Sequence, residues 1–417
     1  MSIQIVTVPL FNRDMVVEAY LFRYRRGNDL FSSAQATGIF DGASRSELLD
    51  LLNGIGAEAF SLGKPVFIPI SYIMLLGDLA GQSKKHLDKV IFLLEEPPKP
   101  EEPYLFRLRA LREQGLRFAV GGLYEPAGYG PILALCDYCF LSWQEDHQNA
   151  ARKIYRYIVE NFPNLIPVAT GVFSREMLEG LRTLKYGLFE TRFFRVAVSR
   201  GAHDASPLRM NSIRLINVVQ DENFEFEEVS KIVQTDPVLT VSLLRLVNTQ
   251  HRSRSSQIKT IQHAVAMLGQ GEVRKWVATA VTQMLGSERP SEITRISLMR
   301  ARFAENLSPL FEMAQLSQGI FLMGLFSVLD LILEAPMEEA LDMVVVPDNV
   351  SKALLERKGM FFPILELIEE YENANWSEVS RRMIVHDIKE DDLANAYIKT
   401  LTWYRDLVME AESAENS

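Results

Sequence analysis

The stretch Ile232–Gly269, IVQTDPVLTVSLLRLVNTQHRSRSSQIKTIQHAVAMLG, reads as two helices around a basic loop. Asp236 suits an N-cap with Pro237 at the first helical position, where a missing N–H costs nothing, and Leu239, Leu243 and Val247 recur on one face. Thr260 stands likewise before Ile261, Ala264, Val265 and Leu268, and Gly269 can close that helix in the left-handed conformation. Helical spacing continues from there, so residues 207–409 are expected to form an all-α domain with a frayed polar tail, Glu410–Ser417.

Upstream the period changes. Short β-rich runs alternate with helical or loop segments: Gln4–Val8, Val16–Phe22, Pro65–Ile70, Val90–Leu94, Arg117–Val120, Tyr138–Leu141, Leu165–Val168 and Leu188–Phe189. Several are apolar for most of their length, as strands buried on both faces must be. Eight such strands predict a closed α/β barrel over residues 1–198. The polar segment Ser199–Pro207 marks the expected boundary with the helical domain.

A chain of 417 residues exceeds what one core usually serves, in keeping with two domains, and 47% apolar with 24% charged residues are ordinary globular values. The net charge of -10 is uneven: residues 1–200 hold 23 Lys/Arg against 22 Asp/Glu, and residues 201–417 hold 21 against 32. Acidity disfavours broad phosphate-backbone binding, so nucleic acid is not an expected partner. Cys136 and Cys139 are too few for a disulfide framework, and no export signal or spanning apolar segment is evident, so a soluble cytoplasmic protein without membrane insertion is expected.

Residues 232–269 resemble the HDOD domain, an all-helical output module derived from the HD phosphohydrolases. The carriers are DP before a Leu-rich helix ending in VN, a polar loop, and AVAMLG, in that family's order. RARFAENL (Arg300–Leu307), FLMGLFSVLD (Phe321–Asp330), APMEEAL (Ala335–Leu341) and LIEEYENANW (Leu367–Trp376) extend the resemblance and are similar to chains in which an EAL-type barrel precedes the module. The first half is collinear with that partner through VPLFNRDMVVEAYLFRYR (Val8–Arg25), LREQGLRFAVGGL (Leu111–Leu123), GYGPILALCDYCF (Gly128–Phe140) and the stretch Ala169–Phe194. The resemblance implies a bacterial signalling architecture: a (βα)8 EAL barrel, whose family hydrolyses cyclic di-GMP, followed by HDOD.

Hydrolysis by that route needs carboxylates at strand C-termini to hold divalent ions, which generate hydroxide and offset phosphate charge. At the positions the resemblance assigns to metal ligands and catalytic groups, this chain has Leu21, Pro69, Leu93, Gly121, Gly122, Phe140, Ser142, Thr170 and Phe173, with Glu190 at the usual glutamine and Arg192 two residues on. Glu95 and Glu96 are the nearest carboxylates to a lost ligand. Arg23, Arg25 and Arg26 are candidate phosphate contacts for metal-free cyclic di-GMP, or else a solvated or salt-bridged segment.

In the second half Ser327 and Val328 stand where the HD pair would, with Asp330 the acid nearby, and no two of His86, His147, His203, His251, His263 and His386 have ligand spacing. His386-Asp387 lacks the apolar lead-in of an HD helix. The CxxC spacing of Cys136 and Cys139 falls on a strand and reads as two structural thiols. The loop His251–Lys259 reads as a solvated basic loop, and Met360, Phe361 and Phe362 as core or as a small protein-binding patch.

The expectation is a non-catalytic signal-transduction protein, a pseudoenzyme with no metal or cofactor. It is expected to act through contacts with other signalling proteins near the cyclic di-GMP network, with a homodimer open by resemblance. Its alternatives are a residual cyclic di-GMP phosphodiesterase using Glu95 or Glu96, and a cyclic di-GMP adaptor using Arg23 and Arg25.

Overall fold

The computed structural model describes residues 3–26, 47–56, 60–61, 63–191, 207–221, 223–234, 239, 243, 246–247, 261–285, 291–333, 335–344 and 346–415. The expected boundary at 199–206, Asp236–Pro237, the basic loop 251–259, His203 and Arg192 lie outside them, as does the side chain of Arg26. By its internal packing the chain divides into two units: Met1–Phe194 with Tyr371–Met383 and Ile388–Ser417, and Arg195–Glu370 with Ile384–Asp387. The segment beyond Glu370, read from sequence as helical-domain throughout, thus packs for the most part with the barrel.

Eight strands close into a barrel in sequence order, as expected: β1 (Ile3–Phe11), β2 (Val17–Arg26), β3 (Val66–Ile70), β4 (Val90–Leu94), β5 (Arg117–Val120), β6 (Tyr138–Ser142), β7 (Ile166–Val172) and β8 (Leu188–Thr191). Strand β1 runs antiparallel to both neighbours, β2 and β8, while β2 to β8 are mutually parallel. Between them lie α1 (Glu47–Ile55), α2 (Glu102–Glu113), α3 (Gly130–Leu133), α4 (Gln148–Asn161) and α5 (Arg175–Arg182).

Strand alternation sorts the apolar residues. Val8, Leu10, Ala19, Leu21, Phe67, Ile91, Leu93, Ala119, Phe140, Val168 and Leu188 fill the interior with Tyr138 against them, while intervening residues such as Phe92 and Phe118 are buried as well. Phe67 is the hub: its ring lies 5.0 Å from both Tyr138 and Phe140 in edge-to-face contacts. The β2–β3 pairing is confined to Tyr20–Val66 and Leu21–Phe67. Pro69, lacking an N–H, cannot extend it, and the Tyr24 hydroxyl donates to the Pro69 carbonyl at 3.2 Å in its place.

The second unit is helical: α6 (Pro207–Gln220), α7 (Phe226–Gln234), α8 (Ile261–Leu285), α9 (Ser291–Leu307), α10 (Ser317–Phe326), α11 (Leu329–Leu333), α12 (Met337–Asp342) and most of α13 (Phe362–Glu372). Leu239, Leu243 and Val247 are buried, as their spacing predicts. Gly269 has φ 74° and breaks α8 there before a second helical run continues to Leu285. Helices α9 and α10 meet closely at Gly324, where a Cβ would lie 2.5 Å from the Arg300 carbonyl oxygen.

Helices α14 (Trp376–Val385) and α15 (Glu390–Glu415) follow. Within the barrel unit the Ile5 amide donates to the Tyr371 hydroxyl at 3.2 Å, and the Tyr371 ring packs on Trp376 and Tyr397. Among the described residues no helix is long and apolar enough to cross a membrane.

Candidate functional site in the barrel mouth

The inward parity of the core residues continues to the C-terminal ends of the parallel strands. It places Arg23 above Leu21, Glu95 above Leu93, Gly121 above Ala119, Ser142 above Phe140, Thr170 above Val168 and Glu190 above Leu188. Pro69, above Phe67, lies in the same layer. The sequence-assigned positions Leu21, Pro69, Leu93, Gly121, Phe140, Ser142, Thr170 and Glu190 therefore do converge on one mouth. Phe173 lies beyond the end of β7 and is exposed.

The convergence brings together hydrocarbon, glycine and hydroxyl groups. Leu21, Leu93 and Phe140 are buried in the interior cluster. Glu190 is the buried carboxylate of this layer, and Arg23 already counters it: one guanidinium nitrogen donates to both carboxylate oxygens, at 3.0 and 3.1 Å. The guanidinium thus offsets the charge of the buried carboxylate within the protein itself. Nothing in the local sequence marks this pair, whose members are 167 residues apart; its only signal is their shared inward parity on adjoining parts of the barrel. Among the described residues no group of three or more His, Cys, Asp or Glu side chains is placed to hold a metal ion.

Glu95 reaches solvent at the rim, yet the surrounding protein strips part of its hydration and pushes its carboxyl above the usual range. Arg23 pulls the other way, and Glu96 and Glu190 add to the rise. A raised folded-state value means that ionised Glu95 opposes folding at neutral pH. Glu95→Gln is accordingly expected to raise the unfolding midpoint at pH 7, and the gain to vanish as the pH falls below the reference value of 4.5. Thermal unfolding of both proteins from pH 4 to 8 measures this.

Gly122 leaves no room for a side chain in this mouth. Its φ is 65°, and a Cβ built there would lie 1.8 Å from the carbonyl oxygen of Glu95. Gly122→Ala is expected to cost about 2–4 kcal/mol, because left-handed strain adds to a backbone clash. Urea unfolding reads the loss directly.

Arg25 is engaged elsewhere in the same unit: it donates to the Trp376 carbonyl at 2.9 Å and the Ser380 hydroxyl at 2.6 Å, and pairs with Glu390 at 3.4 Å. Arg23 and Arg25 therefore stand in ion pairs within the protein. The two cysteines are free and buried, and burial pushes the Cys139 thiol up to about 12 and the Cys136 thiol higher still, so neither is a thiolate at neutral pH.

In the helical unit, the Ser327 hydroxyl donates to the Gly324 carbonyl at 2.6 Å and accepts from Arg300 at 3.1 Å, beside buried Val328. Loss of hydration pushes the Asp330 carboxyl up, opposed by backbone N–H groups and by Arg300. His263 is exposed, and the His386 ring lies 4.6 Å from Phe311. Phe361 is buried, Phe362 lies under the Arg357 guanidinium and Met360 is exposed.

Residues 207–350 match the HDOD domain family. YuxH of Bacillus subtilis (strain 168) is 26% identical over 98% of this chain and 99% of its own length. The cyclic di-GMP phosphodiesterase CdgJ of Vibrio cholerae is 28% identical over 240 residues, which are 58% of this chain and 56% of that protein. Among solved structures, the Bacillus subtilis YkuI protein with an EAL domain, in complex with cyclic di-GMP and calcium, matches with 11% identity and a TM-score of 0.35, covering 56% of this chain and 72% of that one. The two-domain resemblance is borne out: a closed eight-stranded barrel stands first and an HDOD domain second.

Proposed function

From an HDOD domain at 207–350 behind a closed eight-stranded barrel, we propose that the protein is a non-catalytic regulator in the cyclic di-GMP network. In this reading residues 1–198 are an EAL-type barrel that has lost its chemistry and the HDOD module begins at 207 and runs to about Glu370, the segment beyond it grouping for the most part with the barrel. The protein acts in the cytoplasm through contacts with other signalling proteins. The observation that carries it is the barrel mouth, where Leu21, Leu93 and Phe140 are packed into the core beneath and buried Glu190 in the layer above them is countered by Arg23. The carboxylates left in that layer are Glu190, already paired with Arg23, and rim-exposed Glu95, fewer than the ligand set that would bind a divalent ion, lower the pKa of its water and present hydroxide to a phosphodiester. The partial similarity to CdgJ supports the link to the cyclic di-GMP network.

Binding of the intact nucleotide is disfavoured for a related reason. Phosphates would have to draw Arg23 from Glu190 and Arg25 from Glu390, Ser380 and the Trp376 carbonyl, exchanging formed charge-assisted hydrogen bonds for new ones. Titration calorimetry of the full chain with cyclic di-GMP, with and without Mg²⁺, tests this. No saturable heat is expected at high micromolar nucleotide. Saturable binding abolished by Arg25→Ala would replace the regulator with a nucleotide-gated adaptor.

A further inference from the structure

Charge and apolar surface are concentrated at one end of the barrel. The described segments that follow β3 to β7, residues 71–78, 95–104, 121–131, 143–149 and 173–176, carry nine acids (Asp78, Glu95, Glu96, Glu101, Glu102, Glu125, Glu145, Asp146 and Glu176) against Lys99 and Arg175. The part of the rim fed by β3 to β7 is thus negative, although β2 ends at the same mouth in Arg23, Arg25 and Arg26 and residues 1–200 as a whole hold 23 basic against 22 acidic residues. Two of these carboxylates, Glu102 and Glu125, meet Arg109 and Lys153 at 3.7 Å, in exposed pairs that screen little.

Among the described residues, the same end carries the most exposed large apolar side chains of the barrel unit. Phe106 in the first turns of α2 is 70% exposed, Tyr124 after β5 is 67%, and Leu76 after β3 and Phe173 after β7 are each 58%. Adjacent strands are about 5 Å apart, so the loops they feed are neighbours around the rim. Their placement is built in: Arg107 fixes the Leu76 turn by donating to the Leu75 and Gly77 carbonyls at 2.7 and 2.6 Å, and the Tyr124 ring rests 5.4 Å from His147.

We propose that this rim is a docking surface for a basic segment of a partner protein, one in which Lys or Arg alternates with apolar residues. The inference rests on the regulatory reading above and names the surface through which it operates. The apolar side chains receive the partner's apolar residues and, at Tyr124, Phe106 and Phe173, its cations over the ring faces, while the carboxylates steer approach. The field that attracts such a segment repels phosphates, so the rim selects a peptide over a nucleotide or nucleic acid.

Fluorescence anisotropy tests it with the full chain and a labelled peptide of about fifteen residues alternating Arg and Leu, beside a Glu and Leu counterpart. Saturable binding of the basic peptide alone is expected. It should weaken about tenfold or more in Phe106→Ser/Tyr124→Ser, and comparably in Glu95→Gln/Glu96→Gln/Glu145→Gln/Asp146→Asn. Neutralising exposed Glu338 and Glu339 in the helical unit should change nothing. No binding at high micromolar protein, equal binding of the acidic peptide, or equal loss on neutralising Glu338 and Glu339 overturns the proposal. Every altered side chain is exposed, so an unfolding midpoint no lower than the parent's is the control for folding, with the variant carrying Glu95→Gln expected to lie above it. Turnover or tight binding of cyclic di-GMP would sink the regulatory reading without moving these titrations, and a null peptide titration sinks only the docking surface.

Discussion

Leu21→Glu is expected to destabilise the barrel by about 4 kcal/mol at neutral pH and to restore no hydrolysis, since a carboxyl buried among hydrocarbon has its pKa raised by several units. Leu21 sits in the interior cluster with Phe67, Leu93 and Phe140 and is almost wholly buried. The sign follows from the raised folded-state value: the penalty grows as pH rises above about 4.3, the ordinary glutamate value, and fades below it. Urea unfolding at pH 4.5, 6 and 8 should therefore show the variant approaching the parent at the acidic end. A variant as stable as the parent at pH 8 would mean that position 21 faces a hydrated, open mouth.

The second large effect concerns the C-terminal helices. A chain ending at Glu370 is expected to lose a cooperatively folded barrel, although all eight strands remain. Tyr371, Val379, Met383, Leu393, Tyr397, Leu401 and Tyr404 are all buried and group with the barrel unit. At about 1.5–3 kcal/mol per buried side chain, an upper bound, removing all seven forfeits roughly 10–20 kcal/mol, comparable with the whole roughly 5–15 kcal/mol by which domains are stable. The milder Arg25→Ala keeps that apolar contact and should cost about 1–3 kcal/mol through its lost hydrogen bonds. Hydrogen exchange of the β1 amides, Ile5 above all, separates the two outcomes. A truncated chain whose β1 amides stay as protected as in the full protein would contradict the shared packing.

These residues also show how far the sequence can be read. Every strand could be placed, because runs such as Val90–Leu94 carry both inner and outer faces of apolar side chains. Strand β2 runs on to Arg26, past the expected end at Phe22, since its inward charges find partners: Glu190 for Arg23 and Glu390 for Arg25. Those partners lie 167 and 365 residues away, and hydrophobic spacing is blind to such pairings. For the same reason periodicity shows that α15 buries one face and cannot say that the barrel unit covers it. At the mouth, the residue types at positions 21, 69, 93 and 121 were legible one by one. That Gly122 leaves no room beside the Glu95 carbonyl, and that a guanidinium already occupies the charge balance of Glu190, follow only from the closed barrel.

The account turns on whether this mouth can use a divalent ion, and turnover measures that most directly. Full-length protein incubated with cyclic di-GMP and millimolar Mg²⁺ or Mn²⁺, followed by chromatography of the nucleotides, should yield no linear product above buffer. Metal-dependent product formation that disappears in Glu95→Gln or Glu96→Gln would contradict it.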